Sequence, residues 1–155
     1  MNEAAASESP AGPVIGLDFG GRRIGLAVSD EAGGLAFPAG ILDRRDLARD
    51  LEALCQLARE RGAIRFVMGL PLHMDGRPGP EAAAARKFAA ALEQATSLPV
   101  EWIDERWTTL EARRIQQEMA ATRSRRAEPV DDAAAAIILR TWLERERNRE
   151  PGESR

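Results

Sequence analysis

The stretch VIGLDFGGRRIGLAVSD, Val14–Asp30, decides how the chain can fold, because it joins two strand patterns through a glycine turn. An apolar run leads up to Asp18, and from Ile24 to Val28 apolar residues alternate with small ones, as in a strand. A dinucleotide-binding fingerprint needs a helix directly after its glycine turn, and no GxxxxGK[ST] segment occurs in the chain. Both phosphate-loop types are therefore excluded, and the stretch predicts an antiparallel strand pair with a carboxylate at its tip.

The composition is that of one soluble domain. The chain has 155 residues, 44% hydrophobic and 30% charged, which is ordinary for a globular protein. We expect a single domain over residues 13–148, with disordered tails at 1–12 and 149–155 because both are small and polar. The start lacks a signal-peptide pattern, no apolar stretch approaches the roughly 18 residues of a membrane span, and Cys55 is the single cysteine. These features predict a cytoplasmic protein with no membrane contact.

The charge is unevenly distributed along the chain. The net charge of -3 argues against a non-specific coat on nucleic acid, but it allows a local basic site. Residues 106–126 are rich in arginine, whose planar guanidinium binds phosphate through two parallel hydrogen bonds. The arginines of this segment are Arg106, Arg113, Arg114, Arg123, Arg125 and Arg126.

The rest of the chain alternates between helix and strand patterns. A third strand follows in residues 33–42 and contains Pro38, which suits an edge strand. Helices are then predicted at 43–61, 80–95, 109–121 and 131–147, and strands at 63–70 and 98–105. A meander followed by alternating helices and strands predicts an α/β fold, a mixed five-stranded sheet flanked by helices.

Two further acidic pairs stand beside apolar segments. Asp104 and Glu105 end the last strand pattern, and Asp131 and Asp132 open an alanine-rich helix. Capping of the helix explains one of these acids but not all of them. Helical spacing places both Asp131 and Asp132 in line with apolar residues, so it does not separate the two. Carboxylates from strand ends and a helix end are oxygen ligands of the kind that Mg²⁺ or Mn²⁺ prefers, and such ions serve phosphodiester hydrolysis.

Four segments together resemble a known family. The chain is similar to the YqgF/RuvX family of the RNase H-like superfamily from Pro13 to Leu143, and the segments that carry the resemblance are GLDFGGRRIGLAVSD, VMGLPLHMDGRPGPEAAAARKFAAAL, WIDERWTTLEA and VDDAAAAIIL. The resemblance implies the resolvase-type RNase H fold with strand order 3-2-1-4-5. It also implies the activity of a nuclease, because members are regarded as Holliday-junction resolvases and, more recently, as nucleases that mature the 5′ end of pre-16S rRNA.

The resemblance also assigns site residues. Asp18 matches the first-strand aspartate, Glu105 the acid of the DER motif, and Asp131 the aspartate that opens the last helix. We predict these three as catalytic residues and ligands of Mg²⁺ or Mn²⁺, with Asp104 and Asp132 as alternative ligands. Asp132 stands where the family commonly has serine, which adds negative charge beside the predicted metal. The candidates for contact with nucleic acid are Arg22, Arg23, Arg106, Arg123, Arg125 and Arg126.

The resulting hypothesis is a metal-dependent endonuclease that acts in 5′-end maturation of pre-16S rRNA. A resolvase of four-way DNA junctions is the alternative, and a non-catalytic RNA-binding assembly factor is a third. The expected partners are pre-rRNA or branched DNA and ribosomal precursor particles. The protein is expected to be a monomer or a homodimer, the dimer suiting a two-fold junction. An actin-like ATPase is excluded, because no second D-x-G strand pair follows Leu42 and the length leaves no room for another lobe.

Overall fold

The computed structural model describes residues 12–32, 34–107 and 131–149, and within these residues five strands and three helices follow one another. The strands are β1 (Val14–Phe19), β2 (Arg23–Ser29), β3 (Ala36–Asp43), β4 (Arg65–Leu70) and β5 (Val100–Asp104). The helices are α1 (Leu47–Arg61), α2 (Pro80–Thr96) and α3 (Asp131–Arg147), and a 3-10 turn, Glu105–Trp107, directly follows β5. The predicted helix at 109–121 and most of both predicted tails lie outside the described residues.

The five strands form one mixed sheet in the order β3-β2-β1-β4-β5. The first three strands make the predicted antiparallel meander, while β4 lies parallel to both β1 and β5. The predicted fold class and strand order are therefore confirmed. Because β1, β4 and β5 run in the same direction, they end at one edge of the sheet, which we call the carboxyl edge.

Helices cover both faces of the sheet. The helix α3 packs on one face, where Ile138, Leu139 and Trp142 are fully buried. On the other face α1 and α2 bury Leu54 and Phe88 in the cluster that holds the remaining apolar residues of β1 and β4. Because both faces of the sheet are covered by helices, the central strands have nearly continuous apolar sequences instead of a strict alternation of apolar and polar residues.

The helix α1 begins later than the sequence predicted. We expected it to begin at Asp43, but Asp43 is the last residue of β3, and it pairs with Arg23 of β2. Asp46 is the N-cap, since its carboxylate accepts a hydrogen bond from the Arg49 backbone N–H at 2.9 Å. The helix therefore begins at Leu47. The Asp46 carboxylate caps its first turn, whereas Asp43 is paired in the sheet and cannot begin the helix.

The helical spacing of Leu51, Leu54 and Ala58 around Cys55 predicts a buried small apolar residue there, and that prediction is wrong. Its side chain is half-buried at a cavity of about 390 Å³ between the C-terminal halves of α1 and α2. Its Sγ lies 3.6 Å from the Ala95 carbonyl oxygen. None of the described helices is both long enough and apolar enough to cross a membrane.

Candidate active site

Asp18 lies at the carboxyl edge of the central strand and is only 6% exposed. Side chains alternate along a strand, and Gly16, two residues earlier, faces α3: a Cβ there would lie 2.8 Å from Leu139 Cβ. Asp18 therefore lies on the α3 face of the sheet. The missing side chain at Gly16 lets α3 pack close against β1, just below this carboxylate.

Glu105 reaches back over the sheet to the same face. A Cβ at Gly69 of β4 would lie 2.6 Å from Glu105 Oε2 and 3.1 Å from Glu105 Cγ, so the glutamate side chain occupies the space above this glycine. The parallel register pairs Leu17 with Met68, and the next residues along are Asp18 and Gly69. Because neighbouring strands lie about 4.8 Å apart, the Glu105 carboxylate lies over the position next to Asp18. The structure thus brings the two acids together from opposite sides of β4.

The first turn of α3 reaches the same edge. Ala135 lies at the level of Gly16, since its carbonyl oxygen is 3.1 Å from a Cβ at that glycine, while the Trp142 ring lies beside Arg65 at the start of β4. From Ala135 back to Asp131 the helix advances about 6 Å, and from Gly16 to Asp18 the strand advances about 6.6 Å. Asp131 therefore begins α3 about one helical turn beyond Ala135, towards the carboxyl edge.

The side chains at the start of α3 are only partly described. The side chain of Asp131 lies outside the described residues, and Asp132 is partly exposed. Among the described side chains, no group of three or more His, Cys, Asp and Glu residues could hold a metal ion. What the structure shows is two neighbouring carboxylates, Asp18 and Glu105, and a helix that begins at Asp131.

Asp104 and Arg106 flank Glu105 and are joined to each other. The Asp104 carboxylate accepts hydrogen bonds from the Arg106 backbone N–H at 3.0 Å and from its guanidinium, the shortest being 2.6 Å. This hydrogen bond raises the pKa of the Arg106 guanidinium above its ordinary value. Arg106 also donates to the Met74 carbonyl oxygen at 3.3 Å. The pair closes the 3-10 turn around Glu105 and ties it to the loop after β4.

The other predicted phosphate contacts divide into two groups. Arg22 and Arg23 are exposed and stand at the turn that follows Asp18, next to the carboxyl edge. The remaining three candidates, Arg123, Arg125 and Arg126, lie outside the described residues.

Arg44 was missed by the sequence analysis. Its Nη1 donates to the carbonyl oxygens of Gly20 at 2.9 Å and Gly21 at 3.3 Å, so it holds the turn after Asp18 from the end of β3. The guanidinium lies 4.4 Å from the Phe19 ring centroid, and its Nε lies 3.8 Å from the buried Asp50 carboxylate. No local pattern marks this residue, because its partners lie more than 20 positions away in the sequence or across a bend.

Comparison with known proteins finds relatives over most of the chain. A family model described as "RuvX: Holliday junction resolvase" matches residues 12–145. The curated protein "Putative pre-16S rRNA nuclease" of Rhodobacter capsulatus is 43% identical over 145 residues, covering 94% of this chain and 91% of the relative. A protein of the same name from Moorella thermoacetica is 43% identical over 132 residues, covering 85% and 94%.

Solved structures show the same fold. The structure "T. thermophilus RuvC in complex with Holliday junction substrate" matches with a TM-score of 0.56 at 13% identity, over 88% of this chain and 96% of that one. A likeness at this identity shows the fold, which is the resolvase-type arrangement expected from the sequence. The family match and the curated relatives place the chain in the class of phosphodiester-hydrolysing nucleases. The chain belongs to the RuvX family.

Proposed function

We propose that this chain is a metal-dependent endonuclease that hydrolyses phosphodiester bonds during 5′-end maturation of pre-16S rRNA. The observation that carries the proposal is the position of Glu105, whose carboxylate lies over Gly69, beside Asp18. Two neighbouring carboxylates at one edge of an apolar sheet concentrate negative charge, and such a charge favours the binding of a cation. The substrate, pre-16S rRNA, is inferred from the name that the curated relatives carry.

The donor set fits Mg²⁺ or Mn²⁺. Asp18 and Glu105 offer carboxylate oxygens, and Asp131 begins α3 at the same edge, so these three would hold the ion. Asp132 remains an alternative ligand on the same turn. Asp104 suits this role less, because both of its oxygens already accept hydrogen bonds from Arg106. When bound, such an ion supplies an activated water and stabilises the charge that develops on the phosphate.

The protein's own residues fix the geometry in which hydrolysis occurs. Asp18 is held by its burial on the central strand, and Glu105 by the Asp104–Arg106 pair on either side of it. Arg22 and Arg23, exposed beside the edge, would bind the backbone phosphates of the substrate. Arg123, Arg125 and Arg126 are proposed for the same role.

The wider setting of the reaction is also part of the proposal. We place the activity in the cytoplasm, on precursor particles of the small ribosomal subunit, and within a single domain spanning residues 13–148. Resolution of four-way DNA junctions is the second candidate, favoured by the description of the matching family. That activity calls for two sites related by a two-fold axis and therefore for a homodimer.

Cleavage of two labelled substrates tests the proposal. One substrate is an RNA that carries the 16S 5′ leader, and the other is a four-way DNA junction. Wild type, Asp18→Asn and Glu52→Gln are compared in Mg²⁺, in Mn²⁺ and with a chelator. Glu52 is an exposed acid on α1 away from the edge, so its variant controls for loss of a charge.

We expect the RNA to be cut in either metal by wild type and Glu52→Gln, and Asp18→Asn to lose at least about 100-fold in rate. Cleavage of the DNA junction without cleavage of the RNA would support the second candidate function, resolution of junctions in recombination. RNA binding that needs no metal, without any cleavage, would instead support the assembly-factor hypothesis. It would contradict the proposed metal-dependent hydrolysis.

A further inference from the structure

The loop between β4 and α2, residues 71–79, is folded as a small hairpin. Leu72 and Pro78 form an antiparallel bridge, and the His73 N–H donates to the Arg77 carbonyl oxygen at 3.0 Å. The turn itself is closed by the Gly76 N–H, which donates to the His73 carbonyl oxygen at 2.8 Å, with Gly76 at a φ of 91°. Such a φ favours glycine, so the sequence encodes this turn locally. The loop therefore presents its tip in a defined conformation.

The hairpin is attached to the site by the same arginine that flanks Glu105. Arg106 donates to the Met74 carbonyl oxygen, and a Cβ at Gly76 would lie 3.3 Å from Arg106 Nη1. The loop leaves the carboxyl edge directly after β4, whose Gly69 lies beneath the Glu105 carboxylate. Arg106 thus connects the tip of the loop to the turn that carries Glu105.

The side chain at the tip is apolar and exposed. Met74 is 78% exposed, more than any other large apolar residue that the structure describes. The neighbouring Arg77 contributes little net charge, because its Nε lies 2.7 Å from the Asp75 carboxylate. A phosphate would therefore find little net positive charge on this pair, while an apolar surface would find the flexible methionine side chain.

We propose that this hairpin is a substrate-binding element and that Met74 packs against an unpaired nucleobase beside the scissile phosphate. The inference rests on the proposed function, which brings a nucleic acid to the carboxyl edge. The apolar surface of a nucleic acid is the face of its bases, and that face is accessible where bases are unpaired or a step is opened. The hairpin thus selects substrates whose cleavage site is single-stranded, whereas the acids and arginines act on the backbone common to all of them.

The test compares one RNA sequence in two forms, with the scissile region unpaired or fully paired to a complementary strand. Met74→Ser is compared with wild type and with Leu35→Ser, a control at a residue that is 59% exposed before β3, at the opposite edge of the sheet. Cleavage gives kcat/KM for each form. Binding of both forms is measured separately in the Asp18→Asn background, so that it does not depend on turnover.

We expect Met74→Ser to lower kcat/KM and affinity for the unpaired form about tenfold, the order of one lost base contact, and to change the paired form less than twofold. Leu35→Ser should match wild type on both forms, and the melting temperature of Met74→Ser should be unchanged. If Met74→Ser lowers kcat/KM and affinity equally for both forms, or lowers neither, the inference is overturned. Cleavage by wild type in the same experiment leaves the proposed function intact. If wild type cuts neither form but Met74→Ser still selectively weakens binding of the unpaired RNA, the proposed function fails and the hairpin's role stands.

Discussion

At the scale of single residues, the site depends on a position that has no side chain. Gly69 is the floor beneath the Glu105 carboxylate, and it also contacts Ile138 of α3. A residue of any other type would compete for the space that the glutamate needs to lie beside Asp18. The glycine therefore positions a predicted ligand without touching substrate.

Gly69→Ala should lower kcat about 100-fold by displacing Glu105, because a misplacement of about 1 Å is enough for such a loss. The variant should also be destabilised by about 1–3 kcal/mol, since the new Cβ lies 2.8 Å from Ile138 Cδ1. Cleavage assays and thermal melts measure the two effects separately.

The double variant Gly69→Ala/Ile138→Val further separates the loss of activity from the loss of stability. Valine lacks the Cδ1 atom, so stability should partly recover while activity stays low, because the contact with Glu105 Oε2 remains. Recovery of wild-type cleavage in the double variant would show that Glu105 is not displaced.

The carboxylate of Asp75 offers a residue-scale test of the hairpin. Its pKa is lowered from 3.8, first by the hydrogen bond from the Arg77 backbone N–H and then by the Arg77 side chain. A lowered pKa means that the turn gains stability above the ordinary value of the acid and loses it only as pH falls through the lowered value. NMR titration should find Asp75 below 3.8 in wild type. In Arg77→Ala its pKa should be higher but still below 3.8, because the backbone donor remains; a value at 3.8 would contradict the hydrogen bond to the backbone.

At the scale of elements, Arg44 links three parts of the fold. It stands between β3 and α1, holds the two turn carbonyl oxygens after β1, and lies beside Asp50, which is buried in the first turn of α1. The turn that follows Asp18 is thus fixed by an element that is remote in sequence. This explains how a loop of two glycines keeps a defined shape.

Arg44→Ala should lower the free energy of unfolding by about 1–3 kcal/mol, because the turn carbonyl oxygens lose their donor and the buried Asp50 carboxylate loses the guanidinium that lies 3.8 Å from it. Amide exchange of Gly20, which donates to the Arg23 carbonyl oxygen, should accelerate. Arg45→Ala is the matched control, since the Arg45 side chain is exposed and its backbone N–H to Asp50 is retained. Equal exchange rates of the Gly20 amide in the two variants would show that Arg44 does not stabilise the turn.

At the scale of the whole molecule, the proposed metal site couples binding to folding. The acids proposed to hold the ion lie on β1, after β5 and on α3, so only a folded chain can bring them together, and an ion bound by them would stabilise the native state. Mg²⁺ at 100 times its Kd should raise the free energy of unfolding of wild type by about 2.7 kcal/mol, seen as a higher melting temperature.

Asp18→Asn should lose this metal-induced shift. Without metal it should melt at or above the temperature of wild type, because one of two neighbouring negative charges is gone. Glu52→Gln should keep the full shift. A shift of wild-type size in Asp18→Asn would place the ion elsewhere.

The sequence by itself determined the strands, most helix bounds, the meander and the glycine turn, because these follow from local periodicity and from turn residues. It also led to the family through four segments in a fixed order, and it singled out Asp18 and Glu105 as acids at strand ends. It misjudged the start of α1, where the capping role of Asp46 outweighed the helical pattern beginning at Asp43. It also misjudged the burial of Cys55, which depends on how α1 meets α2.

Only the tertiary structure decided which polar groups meet. The register of β1 against β4 brings Gly69 beside Asp18, and that empty position lets Glu105 reach across from β5. The sequence offered Asp104 as a ligand and Arg106 as a phosphate contact, whereas the fold joins them into a bidentate pair. The contact of Glu105 with Gly69 joins residues on different elements, so its distance follows from strand register and packing, which no local pattern records.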